Sequence, residues 1–187
     1  MTTKRKYELR ERAERQEQTR QRIAAATLEL HEEVGPARTT IAEIAARAGV
    51  SRPTVYNQFP DELSLFSACS AHFASLHPPP DLASLELEEA LSAQYAFYAD
   101  NERVLAHVYS DAETLPALAQ VVQSAQAHLV QAAAELAGGL DATGARLRRA
   151  RAFLTLALGF HAWRSLNRSG LGVSEAAALI AKLGRSV

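Results

Sequence analysis

Cysteine, aromatic side chains and long apolar runs are scarce in this chain of 187 residues. The single cysteine, Cys69, can form no disulfide within the chain, so we expect a cytoplasmic protein with a buried structural thiol rather than a redox sensor. No apolar run reaches the length of a membrane span, and the charged N-terminus is not typical of a secretory signal. Alanine and leucine dominate, and no alternating apolar and polar run stands out. This composition predicts an all-α protein.

Motifs of catalysis and metal binding are also missing. The chain has no G-x-S-x-G motif and no phosphate-binding glycine loop, and the segment after His31 lacks the second histidine of a zinc-protease helix. His72 and His77 are five residues apart, which misses the i,i+4 spacing of helical metal ligands. We therefore expect no enzymatic activity, no cofactor and no metal.

Charge is unevenly distributed, although the formal net charge is only −1. Residues 1–55 hold 11 Lys and Arg against 8 acidic residues, and the remainder holds 9 against 13. A basic N-terminal third on an acidic body is typical of a protein that turns one end toward nucleic acid. Within it, residues 1–15 form a charged arm. Lys4, Arg5 and Lys6 would reach phosphates or a minor groove, and a solvated tail is the alternative.

Residues 40–59, TIAEIAARAGVSRPTVYNQF, have the pattern of a helix–turn–helix. Thr40 and Glu43 have the spacing of a capping box, and Gly49 stands where a tight turn needs a positive φ. Ser51 is placed to cap the second helix, with Pro53 in its first turn. A plain helical hairpin is the alternative interpretation.

The second helix of this segment has a polar face that is unusual for a solvated bundle helix, which would more often carry Glu and Lys. The face consists of Arg52, Thr54, Tyr56, Asn57 and Gln58. Guanidinium, hydroxyl and amide groups suit base edges and phosphate oxygens. The pattern therefore favours double-stranded DNA as the partner.

A series of motifs between Ile23 and Phe66 carries a family resemblance. It consists of Ile23, Ala26, Leu30, Thr39-Thr40-Ile41, Ile44-Ala45, Ala48-Gly49-Val50-Ser51, Thr54-Val55-Tyr56, Phe59 and Leu65-Phe66. This series resembles the TetR family of transcriptional regulators. The resemblance implies base contacts by Arg52, Pro53, Thr54 and Asn57, and phosphate contacts by Thr40 and Tyr56, to which we add Gln58. Glu62 departs from the family, which commonly has lysine there, and a carboxylate cannot neutralise a phosphate.

Helix signals continue to the C-terminus. After a first helix from about Gln16 to Val34 and the helix–turn–helix, we predict helices near 61–76, 82–99, 101–111, 115–137, 145–168 and 173–185. This makes about nine helices in a TetR-like fold. A three-helix DNA-binding head at residues 16–60 would precede a helical bundle at residues 61–187 for ligand binding and dimerisation.

The predicted helix at 145–168 is apolar on more than one face, which indicates burial on more than one side. We predict that this helix and the last one form a homodimer interface with Leu154, Leu158, Ala162, Ala176, Leu179, Ile180 and Leu183, and core packing is the alternative. Gly159, in the middle of the helix, would permit a close helix contact.

Polar aromatic and histidine side chains are the candidates for a ligand pocket. Candidate pocket residues are Tyr95, Tyr98, His107, Tyr109, His128, His161 and Trp163, and each could instead be an ordinary core side chain. The cluster Arg146, Arg148, Arg149 and Arg151 marks either an anionic effector site or a solvated face. The resulting hypothesis is a homodimeric repressor that binds a palindromic operator and is released by a small molecule. The alternative is a helical protein that senses a ligand or partner and does not use DNA.

Overall fold

The computed structural model describes the backbone of residues 2–186 and the side chains of residues 10–186. Within these residues every regular element is helical, so the predicted all-α class is confirmed. The helices α1 to α10 are Thr2–Val34, Ile41–Ala48, Arg52–Gln58, Glu62–Leu76, Leu87–Asp100, Glu102–Asp111, Pro116–Gly138, Gly144–Ala157, Phe160–Arg168 and Val173–Ser186. Short 3₁₀ turns lie at Pro36–Arg38 and Leu82–Ser84. Over the part of the chain that is described, none of the helices is long and apolar enough to cross a membrane.

Helix α1 begins at Thr2 rather than near Gln16, so residues 2–15 of the predicted arm are part of the first helix. An i,i+4 ion pair of 2.8 Å between Arg10 and Glu14 supports the helical conformation there. The side chains of Lys4, Arg5 and Lys6 lie outside the described residues, and their contact with DNA stays a prediction.

The chain forms two compact units. The first comprises Met1–Pro78 and His107–Val121, and the second comprises Pro79–Ala106 and Val122–Val187. The predicted functional division after residue 60 stays a prediction. In the structure, α4 packs against α1 within the first unit.

The first unit has a small apolar core beneath the helix–turn–helix. Its buried members are Ile23, Ala26, Leu30, Ile44, Ala45, Ala48, Val55, Phe59 and Leu65. The α1 members are spaced i, i+3 and i+7, which puts them on one face of the helix. Each large aliphatic side chain buried there contributes about 1.5–3 kcal/mol, so this core fixes α2 and α3 on α1.

The second unit is built on the packing of α5 against α10. Gly184 of α10 also packs against α8, and an added Cβ atom there would make ordinary contacts of 3.4 Å with the Phe153 ring and 3.5 Å with Leu154. Leu91, Tyr95 and Leu154 are fully buried in this unit.

The helix predicted at 145–168 is broken into α8 and α9, and the prediction of a continuous helix was wrong. Gly159 is extended, with φ −73° and ψ 146°, and precedes the first residue of α9. The predicted close helix contact at Gly159 was also wrong, since an added Cβ atom would meet only the carbonyl oxygens of Leu156 and Thr155 in the preceding turn.

Two buried tyrosines of α5 stabilise this break. The hydroxyl of Tyr95 donates to the carbonyl oxygen of Ala157 at 2.9 Å, and that of Tyr98 donates to the carbonyl oxygen of Leu158 at 2.8 Å. A break leaves main-chain carbonyls without helical partners, and an unpaired buried carbonyl is costly. The tyrosine hydroxyls provide the missing hydrogen bonds. A helix prediction from local sequence does not take such contacts between distant residues into account.

Candidate nucleic-acid interface

Helix α2 begins with the predicted capping box. The Thr40 hydroxyl oxygen accepts from the Glu43 main-chain N–H at 3.3 Å, and the Glu43 carboxylate accepts from the Thr40 main-chain N–H at 2.9 Å. The Thr40 hydroxyl also donates to Glu43 at 2.7 Å, and this hydrogen bond is the main cause of the lowered pKa of the Glu43 carboxyl. A phosphate held by Thr40 would have to replace that carboxylate as acceptor.

The turn between α2 and α3 follows the sequence prediction. Gly49 has φ 64° and ψ 40°, in the left-handed region where other residues are strained. Ser51 then caps α3, since its Oγ accepts from the Thr54 main-chain N–H at 3.3 Å. Pro53 lies in the first turn of α3, where a missing N–H costs little.

Helix α3 buries one side and exposes the other. Val55 is fully buried in the core. Of the predicted DNA-binding residues, Thr40, Arg52, Pro53, Tyr56 and Asn57 are exposed, and Thr54 and Gln58 are half-buried. Thr54 Oγ1 lies 2.8 Å from Ser51 Oγ. Their contacts with DNA stay predictions.

The arginines of the predicted DNA-binding head differ in whether they form ion pairs with carboxylates. Arg47 is bidentate to Glu33 at 2.9 Å and lies 3.0 Å from Glu29, and these hydrogen bonds raise the pKa of its guanidinium. Arg52 makes no ion pair or hydrogen bond with any described residue. Arg52 therefore has its full hydrogen-bonding capacity available for a ligand, and Arg47 does not.

Sequence reasoning missed Arg20. Its guanidinium donates to the carbonyl oxygen of Gln58 at 2.7 Å and lies 4.2 Å from the ring centroid of Phe59. The available signal was the spacing of Arg20 and Ile23, which are three residues apart and therefore share a face of α1.

A buried pair of side chains links α1 and α4. His31 Nδ1 lies 3.6 Å from Cys69 Sγ, and both residues are buried. Burial lowers the pKa of His31 to about 4, against the opposing charge of Asp111, and raises the pKa of Cys69 to about 12. Both groups are therefore neutral near pH 7, and the expected buried thiol is confirmed.

The C-terminal half of α6 contacts the end of α1. His107 Nδ1 lies 3.0 Å from the carbonyl oxygen of His31, so Nδ1 carries the proton, because a carbonyl can only accept. Asp111 accepts from the main-chain N–H of Ala37 at 2.9 Å. His107 and Asp111 belong to the first unit together with these partners.

The candidate ligand residues are only partly brought together. Tyr98 lies 5.7 Å from Trp163 between ring centroids, and both are buried in the second unit beside Phe160. Burial raises the pKa of Tyr95 to about 12. His107 belongs to the first unit instead, Tyr109 is half-buried, and His128 and His161 are exposed. Within the described residues, no group of three His, Cys, Asp or Glu side chains could hold a metal ion. The ligand-binding role stays a prediction.

Part of the predicted dimer interface lies inside a single copy of the chain. Leu154, Leu158, Ala176 and Ile180 are buried there, so they are core residues and not surface residues. The apolar pattern could not separate the two, because a protein core and a subunit interface select the same side chains. Ala162 is half-buried, and Leu179 and Leu183 are 40% and 44% exposed. Leu156, which the prediction omitted, is 70% exposed.

The four arginines of the α8 cluster are all exposed, but they differ in their hydrogen bonds. The guanidinium of Arg146 donates to the carbonyl oxygens of Asp141 and Arg185 at 3.3 and 2.9 Å. Arg148, Arg149 and Arg151 are exposed.

The helix–turn–helix and the helices that support it are similar to those of known proteins. Residues 23–69 match the family model described as bacterial regulatory proteins, tetR family. Uncharacterised HTH-type transcriptional regulators of Mycobacterium bovis and Mycobacterium tuberculosis are 41% identical over 83 residues, which are 44% of this chain. The chain spans only 43% of the length of these relatives.

Two solved structures are similar over most of the chain. A transcriptional regulator from Rhodococcus sp. Rha1 covers 88% of this chain and 94% of its own, with a TM-score of 0.64 and 18% identity, which shows a common fold. A tetR-family transcriptional regulator from Streptomyces coelicolor is similar over 90% of this chain and 79% of its own, with a TM-score of 0.61 and 26% identity. The chain is therefore similar to the tetR family of bacterial regulatory proteins over residues 23–69, and its fold is similar to that of a tetR-family regulator over most of its length.

Proposed function

We propose that the protein binds double-stranded DNA by inserting α3 into the major groove. The main support is the exposed face of α3, where Arg52 has no partner among the described residues and Asn57 is exposed. Arginine pairs bidentately with guanine, and asparagine does so with adenine. Tyr56 is 57% exposed, which fits a side chain kept for contact with a ligand rather than for the core.

The active species in this proposal is a homodimer on a palindromic operator. Helix α3 has only 7 residues, so one copy offers few base contacts, and two copies bound to an inverted repeat roughly add their binding free energies. Exposed leucines on α8 and α10 support an interface there, namely Leu156, Leu179 and Leu183. A second copy that covered these leucines would remove exposed apolar side chains from water.

Release by a small molecule would act through α6. The chain passes from the second unit to the first between Ala106 and His107, within α6, and His107 and Asp111 bind the end of α1 and the turn after it. A ligand that moves α6 would therefore change the support of the head. To release DNA, it must bind the released conformation more tightly than the DNA-bound one.

A function without DNA remains the alternative, as a sensor of a ligand or partner. Glu62 favours it, because this exposed carboxylate in the first turn of α4 stands where the family commonly has a phosphate-binding lysine. The negative charge of Glu62 would repel a nearby phosphate, which weakens DNA binding without abolishing it.

Selection of duplexes from a random pool tests the proposal. We expect an inverted repeat to be enriched, with two half-sites about one helical turn apart, and affinity that falls steeply with salt. An enriched sequence without two-fold symmetry would contradict the homodimer. Failure to retain any duplex at 50 mM salt would support the sensor without DNA.

A further inference from the structure

The C-terminal end of α3 depends on another helix for its electrostatic support. The last turn of α3 contains no basic residue, although helix C-termini carry partial negative charge and free carbonyl oxygens. The Val55 carbonyl is satisfied by the main-chain N–H of Phe59 at 2.8 Å. The Gln58 carbonyl is satisfied by the guanidinium of Arg20 from α1.

Arg20 makes two contacts at once, and together they define its orientation. One guanidinium nitrogen donates to the Gln58 carbonyl oxygen at 2.7 Å, and the guanidinium carbon lies 4.2 Å from the Phe59 ring centroid. Phe59 is buried, whereas Arg20 is half-buried, so the charge is partly shielded from water. A hydrogen bond between a charged donor and a carbonyl is about twice as strong as a neutral one.

We propose that Arg20 is a positioning residue for DNA readout, which holds the C-terminal end of α3 against α1. Ile23, one helical turn further along α1, is fully buried in the core below α3. Arg20 and Ile23 therefore fix α3 from the same face of α1. Arg20 holds the main chain of α3, and Ile23 packs in the core that contains the buried side of α3. This inference rests on the proposed DNA binding only for its functional consequence.

The competing role for Arg20 is a direct phosphate contact. Its guanidinium is basic and half-buried, and Glu62 leaves the family's usual phosphate-binding position without a cation. In that role the arginine would give up its bond to Gln58 in the complex. The two roles predict different salt dependences, because only a phosphate contact releases a counterion.

The variant Arg20→Met separates the two roles, since it removes the charge and the hydrogen bond to Gln58 and keeps an apolar stem over Phe59. Arg22→Met is the matched control, because Arg22 is exposed and makes no hydrogen bond or ion pair with any described residue. Arg20→Lys keeps the charge and provides a milder variant should the methionine variant fail to fold.

The first measurement is hydrogen exchange of the free protein. We expect the main-chain amides of Tyr56 to Phe59 to exchange about tenfold faster in Arg20→Met, and to be unchanged in Arg22→Met. Unchanged exchange of these amides in Arg20→Met would overturn the proposal. Because no DNA is present, this result stands or falls independently of the proposed function.

The second measurement is DNA affinity at several salt concentrations. For a positioning residue we expect affinity for the selected site to fall about tenfold per half-site, while affinity for random duplex and the slope of log K against log salt stay unchanged. A slope reduced by about 1 per head, with specific and random affinities falling together, would identify a phosphate contact instead. A wild-type protein that binds no duplex would contradict the proposed function and leave the exchange result intact.

Discussion

The carboxylate of Asp111 accepts a hydrogen bond of 2.9 Å from the main-chain N–H of Ala37, and it occupies the space beside Gly35 that a side chain would need. A Cβ atom on Gly35 would lie 2.9 Å from Asp111 Oδ2 and 3.4 Å from His107. Gly35 also has φ 89° and ψ 157°, a conformation that is essentially restricted to glycine. The end of α1 therefore requires glycine both for its backbone and for the approach of α6.

Replacing Gly35 should therefore cost more than replacing Gly49. Gly49→Ala suffers only backbone strain, because an added Cβ atom would have no neighbour within 4 Å, and we expect a loss of about 1 kcal/mol in urea unfolding. Gly35→Ala adds a clash and disturbs the bond to Ala37, so we expect a loss of about 2–4 kcal/mol. The double variant with Asp111→Ala should recover part of that loss. Equal losses for the two alanine variants would contradict this account.

Burial of His31 predicts that the first unit loses stability in mild acid. Its pKa is about 4 in the folded protein and 6.5 in the unfolded chain, so between these values the unfolded chain binds a proton that the folded protein does not. The free energy of unfolding therefore has its full value above pH 6.5 and decreases as the pH falls to about 4. The loss is on the order of 3 kcal/mol.

Urea unfolding at pH 7 and pH 4.5 measures this effect. His31→Gln should show a smaller difference in unfolding free energy between the two pH values than the wild type. His128→Gln, which alters an exposed histidine, should keep the wild-type difference. If the His31→Gln variant showed the same difference in unfolding free energy between the two pH values as the wild type, other groups would cause the pH dependence.

The local parts of the site were predictable from the sequence. The capping box of Thr40 and Glu43, the left-handed Gly49 and the cap at Ser51 depend on residues within a few positions of each other, where residue type alone decides the geometry. The bond between Arg20 and Gln58 joins residues 38 positions apart, and that contact exists only once α1 and α3 are packed.

The second unit was harder to predict for a physical reason. Helix propensity favours a continuous helix through Leu158, and the break there depends on hydroxyl donors from Tyr95 and Tyr98 on another helix. Leucine spacing likewise predicts burial but does not distinguish the chain's own core from a second copy. Leu154 is thus buried within one copy, whereas Leu183 remains on its surface.

Arg52 should contribute base specificity and not only affinity. Arg52→Ala should weaken binding to the selected site by about 1–3 kcal/mol and relax the preference at one position of each half-site. Competition binding with duplexes altered at single positions measures this preference, and Arg22→Ala provides a control on an exposed arginine outside α3. If affinity fell equally for all sequences, Arg52 would contact the backbone instead.

Introducing a cation at position 62 should strengthen non-specific DNA binding. Glu62→Lys places a positive charge in the exposed first turn of α4, so we expect tighter binding to every duplex and a salt slope steeper by about 1 per head. Glu62→Gln is the control that removes the negative charge without adding a cation, and its slope should stay unchanged. An unchanged slope in Glu62→Lys would mean that this position does not approach a phosphate.

The exposed leucines of α10 should hold two copies together if the homodimer is correct. Leu183→Arg places a charge in the proposed interface, where it would be buried on dimerisation, and removal of a charge from water without a partner is costly. We expect sedimentation to show a monomer at concentrations where the wild type is dimeric, and affinity for the full inverted repeat to fall toward that of one half-site. Leu76→Arg, on the 58% exposed Leu76 of α4, is the matched control and should remain dimeric. A wild-type protein that sediments as a monomer while binding the full repeat would contradict the homodimer, and a dimer that survives Leu183→Arg would move the interface to another surface.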